Sequence, residues 1–197
     1  MKNISSIKSD KFKFIKKDIR KLKLKDIKFK IDYVVHLAAL GSVPRSFNNP
    51  DETNSVNVDG SLNIFKLSKD LKCKKFIFAS SSSVYGNSKN RTKSENDKKN
   101  PISPYGVSKS TFENYVKILS NYYKVYTVGL RFFNVFGPNQ NTKGPYSAVI
   151  PTWSKNLINK KEITVNGDGS TSRDFTYIDN VIHGIVLAAK SKNKSYY

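Results

Sequence analysis

The chain has 197 residues, with 35 Lys and Arg against 15 Asp and Glu for a net charge of +20, and 38% of it is hydrophobic; this suffices for one medium domain with its own core and is short for two. Cys73 is the single cysteine, which excludes an intrachain disulfide and a Cys-based zinc cluster and points to a reducing, cytoplasmic setting. The longest apolar runs, such as Tyr33-Val-Val-His-Leu-Ala-Ala-Leu40, fall far short of the roughly 20 residues of a membrane helix, and the Lys-rich start lacks a signal-peptide core, so no membrane partner is expected.

In chain order, apolar runs of strand length alternate with longer segments of helical period, the pattern of βα units in an α/β fold with a mostly parallel sheet. Phe12-Lys-Phe-Ile15 reads as a short strand ending at Asp18-Ile19-Arg20, and Ile31 to Leu40 as a buried strand running into a Gly-Ser-Val-Pro turn. Asp51 to Lys72 reads as a helix, with Val58, Leu62 and Phe65 on one face and Asp51 and Glu52 in the first turn, where the helix dipole favours them. Phe76-Ile-Phe-Ala79 is the next strand, followed by a serine run and a polar loop. Ser103 caps a helix with Pro104 at its first position and Tyr115, Leu119 and Tyr122 as its apolar stripe. Tyr126 to Phe133 is a strand. Beyond Gly137-Pro138 come a polar loop, a short helix at Ile150 to Ile158, a strand at Ile163-Thr-Val165, a turn at Gly167-Asp-Gly169 and a last helix from Asp179 to Lys190.

The basic excess is 30 Lys and 5 Arg scattered over every segment. Base reading and bidentate phosphate capture favour Arg, so the charge reads as a solvated surface and no nucleic-acid partner is expected. The first glycine in the chain is Gly41, so no glycine-rich turn precedes it to bring backbone up to a pyrophosphate at a helix N-terminus.

The clearest chemical signal is Tyr105-Gly-Val-Ser-Lys109 at a helix start, about twenty residues after the strand-end run Ser80-Ser-Ser-Ser83. A spacing of four puts the Tyr hydroxyl and the Lys ammonium on one helical face. A cation there lowers the phenol's pKa toward neutrality, as a base for a sugar hydroxyl requires. His36 reads as a satisfied core histidine and His183 has no motif around it.

His36-Leu-Ala-Ala39, Ser80-Ser-Ser-Ser-Val-Tyr-Gly86, Ser103-Pro-Tyr-Gly-Val-Ser-Lys109, Leu130-Arg-Phe-Phe-Asn-Val-Phe-Gly137 and Asn166-Gly-Asp-Gly-Ser-Thr-Ser-Arg-Asp-Phe-Thr-Tyr177 resemble, in order and spacing, the extended short-chain dehydrogenase/reductases that act on nucleotide sugars. Leu40-Gly-Ser-Val-Pro-Arg-Ser46 looks most like the UDP-N-acetylglucosamine 4-epimerases of surface-polysaccharide pathways. The resemblance implies a Rossmann-like, doubly wound sheet without its first strand and glycine loop. Residues 1–137 would form a partial NAD-binding domain, and residues 138–197 part of a substrate-binding region interleaved with the last sheet elements.

It also implies roles. Tyr105 would be the base, Lys109 would bind the ribose and lower the Tyr pKa, and Ser81 would bridge Tyr105 and the sugar oxygen, with Ser82 touching substrate and Ser80 and Ser83 capping the strand end. NAD contacts would come from Asp18, Ile19, Ala38, Ala39, Asn57, Ser81, Tyr105, Lys109 and the backbone at Phe133. The alternatives are close packing for Ala38 and Ala39 and a buried, satisfied amide for Asn57. The UDP-sugar would meet Ser42, Arg45, Ser81, Ser82, Tyr105, Asn134, Ala148, Val149, Asn166 and Arg173; for Arg173 the alternative is a surface salt bridge to Asp174 or Asp179. No metal ligand is implied. Ser82 and Ser83 stand where the related 4,6-dehydratases carry an acidic pair, which favours epimerisation over dehydration; the alternatives are another nucleotide-sugar reductase, decarboxylase or dehydratase of the same family and a non-catalytic remnant whose basic surface binds nucleic acid, and without the pyrophosphate site this chain is not expected to be active alone. A homodimer through the helices from Asp51 and Ser103 is implied, as are marginal stability and aggregation for a chain without the family's outer segments.

Overall fold

A computed structural model describes residues 4, 7–88, 90, 92–141, 148–165 and 167–192. β1 (Tyr33–His36), β2 (Lys75–Ser81) and β3 (Thr127–Phe132) form a parallel sheet in the order β1-β2-β3. Its register sets His36 against Phe78 and Ser81 against Phe132. Between β1 and β2 run α1 (Val43–Asn48), α2 (Pro50–Asn54), a π-helical segment (Ser55–Gly60) and α3 (Ser61–Asp70); between β2 and β3 runs α4 (Pro104–Tyr123). The rest is β4 (Val135–Phe136), α5 (Val149–Ile158), β5 (Thr176–Tyr177) and α6 (Ile178–Lys190), with β4 and β5 paired in parallel as a separate two-stranded sheet.

The alternation of strand side chains divides the core into two. Phe76 and Phe78 of β2 point to one face, packed with Phe65 of α3 and Phe112 and Val116 of α4. Ile77, between them, points to the other face with Val128 and Ala188 of α6. Each such side chain contributes roughly 1.5–3 kcal/mol by leaving water, so helices cover both faces of the β2–β3 pair. Lys75, at the start of β2, is buried and donates from Nζ to Ala188 O at 2.8 Å and to Ser191 Oγ at 3.0 Å, closing the C-terminus of α6.

Several expected elements differ. Phe12–Ile15 and Ile163–Val165 are not strands. Phe12, Phe14 and Ile15 are exposed with no ladder partner among the described residues. The carbonyls of Glu162 and Thr164 accept from Asn156 and Trp153 of α5 instead of from a strand. β1 is shorter than Ile31–Leu40 and is not wholly buried: Tyr33 and Val35, and Leu37 just after it, are exposed. The Gly-Ser-Val-Pro turn opens α1, with Ser42 Oγ capping the Arg45 N–H at 3.2 Å. Tyr115 and Tyr122 face outward; the inward side of α4 is Ser108, Lys109, Phe112, Glu113, Val116 and Ser120.

Gly86 closes the loop after the serine run. Its φ of +53° is in the left-handed region, and a Cβ there would lie 1.7 Å from Asn100 O. Gly86→Ala should therefore lower stability by about 2–4 kcal/mol, read as a shift of the urea midpoint at constant slope.

Candidate active site

In a parallel sheet, the carboxyl ends of the strands share one edge, where α/β folds bind ligands. Ala38 and Ala39 follow β1 there, Ser81 ends β2, and Phe133 and Asn134 follow β3. Ala38 is exposed, so close packing does not account for it.

The residues after β2 turn back onto this edge. Ser81 Oγ accepts the Ser83 N–H at 3.1 Å and starts a 3-10 turn, Ser82–Val84. α4 then begins with Ser103 Oγ capping the Gly106 N–H at 3.1 Å. A Cβ at Gly106 would lie 2.7 Å from Ser83 O, so the missing side chain lets the first turn of α4 meet the serine turn. That approach brings Tyr105 beside Ser81, close enough for the serine hydroxyl to act on the phenol. One turn on, Lys109 is buried, donates from Nζ to Ala79 O at 2.9 Å and sits 5.9 Å from the centre of the Tyr105 ring. Ser81, Tyr105 and Lys109 thus form one cluster built by two elements.

The electrostatics differ from expectation. Burial pushes the Tyr105 hydroxyl above its ordinary value, opposed by the Ser81 hydroxyl, and Lys109 is not among the causes. Burial also pulls Lys109 down to about 8, with the Glu113 carboxylate opposing the fall. The resting phenol is therefore protonated, because its partial removal from water outweighs the neighbouring hydroxyl.

Asn57, in the π-helical segment, is fully enclosed: its Oδ1 accepts the Leu40 N–H at 2.8 Å and its Nδ2 donates to Leu40 O at 3.2 Å and Ser108 Oγ at 3.1 Å. It fixes the backbone after β1 against α4. Asp18 and Ile19 lie across the junction of the π-helical segment and α3. Asn63 Nδ2 holds Ile19 O at 2.7 Å, Gly60 abuts Ile19, and Arg20 clasps Asp18, whose carboxyl its guanidinium lowers to about 2.

The later residues are looser. Asn134 Nδ2 donates to Asp174 O at 2.8 Å, which brings the Arg173 segment beside β4; Arg173 is exposed and bonds Ser172 O at 2.8 Å. No ion pair from Arg173 to Asp174 or Asp179 forms among the described residues. Ser82 opens the 3-10 turn, Arg45 is part-buried on α1, Ala148 and Val149 begin α5, and Asn166 lies outside the described residues. A cleft of about 530 Å³ lies between α5 and residues 136–140, lined by Phe136, Ile150, Pro151 and Ile158, and does not include Tyr105.

Sequence reasoning missed the acid behind the cluster. Glu113 is almost fully buried and accepts from Ser80 Oγ at 2.5 Å and Arg131 Nε at 3.0 Å. Ser80 is thus a donor to a carboxylate rather than a strand-end cap. The readable signal was spacing: Tyr105, Lys109 and Glu113 recur every four residues on one helical face.

His36 is buried, with Nε2 2.8 Å from Ser61 Oγ and its ring 6.0 Å from that of Phe76. Burial, aided by the Lys109 charge, pushes its pKa from 6.5 down to about 4. Between those values the unfolded chain binds a proton that the folded chain refuses. The stability present above pH 6.5 should therefore fall by on the order of 3 kcal/mol as pH drops toward 4. Urea midpoints across that window should show the fall, and His36→Gln should flatten it.

Comparison with known proteins places this arrangement. The chain is 35% identical over 187 residues to a Methanocaldococcus jannaschii protein named putative UDP-glucose 4-epimerase, with 93% of this chain and 61% of that protein covered. The UDP-N-acetylglucosamine 4-epimerase of Methanobrevibacter ruminantium M1, solved with UDP-N-acetylmuramic acid, superposes with a TM-score of 0.87 at 41% identity, covering 91% of this chain and 58% of that one. The UDP-glucuronic acid 4-epimerase of Bacillus cereus, solved with UDP-glucuronic acid and NAD, gives 0.85 at 34% identity, covering 94% and 58%. The chain thus spans about three-fifths of the length of these relatives, and their fold is the Rossmann-type α/β fold. Among the described residues no helix is long and apolar enough to cross a membrane. The sequence matches the NAD dependent epimerase/dehydratase family over residues 2–196, and the chain belongs to that family.

Proposed function

We propose that this chain carries the catalytic cluster of a nucleotide-sugar 4-epimerase that interconverts UDP-N-acetylglucosamine and UDP-N-acetylgalactosamine, with UDP-glucose and UDP-galactose as the nearest related pair. The observation that carries the reading is the buried Lys109 ammonium, tied to Ala79 O at the end of β2 and 5.9 Å from the Tyr105 ring, with Ser81 beside the phenol. Residues 1–137 are assigned to cofactor and catalysis, and residues 138–197 to part of the substrate side.

The residues present fit the nicotinamide-ribose and adenine ends of NAD. Lys109 gives one of the three donors of its ammonium to Ala79 O, and the others suit the nicotinamide ribose. Asp18 and Ile19 are held in place to meet the adenine side, and Ala38, Ala39 and Phe133 edge the path between. NAD supplies reversible hydride acceptance at the sugar C4. Tyr105 Oη takes the proton from the C4 hydroxyl and returns it after the 4-keto sugar has turned over, while the Ser81 hydroxyl holds the sugar oxygen in line. The neutral resting phenol requires added positive charge in the filled site before it acts as a base. Asn134 and Arg173 are assigned to the diphosphate, a task for fixed donors, and Ser42, Arg45, Ser82, Ala148, Val149 and Asn166 to the sugar and nucleoside.

The outward face of α4 carries exposed Val107, Tyr115, Ile118 and Tyr122, which supports a homodimer packed through that helix. The proposed setting is the cytoplasm, in surface-polysaccharide synthesis. The test is to release and quantify NAD from the purified chain and to incubate it with UDP-N-acetylglucosamine. Near-stoichiometric NAD and formation of UDP-N-acetylgalactosamine without net NADH are expected. Net NADH would favour a dehydrogenating reaction, and a folded chain with no NAD and no turnover would overturn the reading.

A further inference from the structure

Behind the Ser81–Tyr105–Lys109 cluster lies a second polar group that the proposed chemistry does not use. Glu113 is 1% exposed, and a carboxylate is among the costliest groups to bury. Its Oε1 accepts from Ser80 Oγ at 2.5 Å and Arg131 Nε at 3.0 Å; its Oε2 accepts from Arg131 Nη2 at 2.9 Å and lies 3.4 Å from Lys99 Nζ. Arg131 is itself buried at its tip, with Nη1 donating to Tyr85 Oη at 3.1 Å and Glu95 O at 3.2 Å.

The consequence is read along the end of β2. Ala79 O holds Lys109, the Ser80 hydroxyl is held by Glu113, and the Ser81 hydroxyl meets Tyr105. Lys109 and Glu113 are one turn apart on α4, so helix and strand are tied twice, at consecutive strand residues. Those two ties set where Ser81 falls relative to Tyr105. Stability alone does not call for this arrangement, because replacing a buried ion pair with well-packed apolar side chains is often neutral or stabilising.

We propose that Glu113 is a positioning residue for the reaction proposed above, its carboxylate clasping Ser80, Arg131 and Lys99 so that the end of β2 presents the Ser81 hydroxyl and the Ala79 carbonyl to Tyr105 and Lys109. The inference rests on that reading of the cluster. Glu113 acts through Ser80 and touches no reacting atom.

Two variants of the full chain test it. Ser80→Ala removes one tie and keeps every charge; Glu113→Leu combined with Arg131→Met replaces the buried pair with apolar side chains. The double variant should melt near wild type and Ser80→Ala somewhat below it, by the one hydrogen bond withdrawn from the carboxylate, and in both kcat should fall about tenfold or more with KM for UDP-N-acetylglucosamine within about twofold, as expected when geometry and not binding is lost. A readout free of turnover is the titration of the Lys109 ε-carbon by NMR. The charged and titratable groups around Lys109 are His36 of β1, Tyr105 and Glu113 of its own helix, and behind Glu113 the cations Arg131 and Lys99. All of them remain in Ser80→Ala. There the midpoint should move below that of the wild-type chain as the Ala79 carbonyl loses its place. A folded double variant with wild-type kcat, or an unmoved Lys109 midpoint in Ser80→Ala, overturns the inference. A wild-type chain that interconverts no sugar would defeat the functional reading, and the Lys109 titration would then decide the inference by itself.

Discussion

Tyr105→Phe is expected to slow sugar interconversion by about 10²- to 10⁴-fold, the usual contribution of a positioned acid–base group, while the NAD content of the purified chain stays unchanged. The phenyl ring keeps its packing beside Lys109, and Ser81 Oγ keeps the Ser83 N–H at 3.1 Å. The lost contact with Ser81 costs stability only about 0.5–1.5 kcal/mol. Equilibrium unfolding should therefore barely move. A variant that loses NAD together with activity would show that Tyr105 organises the site rather than moving a proton, and full activity would remove Tyr105 from the chemistry.

The second large effect concerns stability. Glu113→Leu alone should destabilise the fold by about 3–5 kcal/mol, the loss seen when one member of a buried ion pair is removed. The Arg131 side chain, 7% exposed, would be left without its carboxylate, and Ser80 without its acceptor. Adding Arg131→Met should recover most of that loss, because it removes the stranded charge. Chemical denaturation of the two single variants and the pair completes a double-mutant cycle, with a coupling of at least about 1 kcal/mol expected.

The contrast between α4 and the flanking strands shows what a sequence can disclose. Ser103-Pro104 marks the start of α4 because a cap and a proline act locally. Phe76-Ile-Phe-Ala79 marks β2 because a short β-rich run bounded by polar residues has few other uses. The inward face of α4 was illegible to hydropathy: it carries Ser108, Lys109, Glu113 and Ser120, while Tyr115 and Tyr122 look outward. Buried polar side chains such as Ser108, Lys109 and Glu113, each hydrogen-bonded inside the fold, break the pattern that an amphipathic helix normally shows. Phe12–Ile15 and Ile163–Val165 failed for a different reason. A strand exists through its neighbour, and composition does not reveal whether one is present. Within the site, the four-residue spacing of Tyr105 and Lys109 was legible, whereas the Tyr105 pKa was not, since burial and orientation set its direction.

The lysine at the start of β2 ties the order of synthesis to the order of folding. Lys75 finds its acceptors at Ala188 and Ser191, separated from it by 113 and 116 residues. A nascent chain that has made β1, β2 and α4 carries that ammonium at the edge of its core with no acceptor yet translated. The start of β2 therefore cannot reach its final packing until residues 188–191 have left the ribosome, and this closure is a non-local event of the kind that makes folding slow.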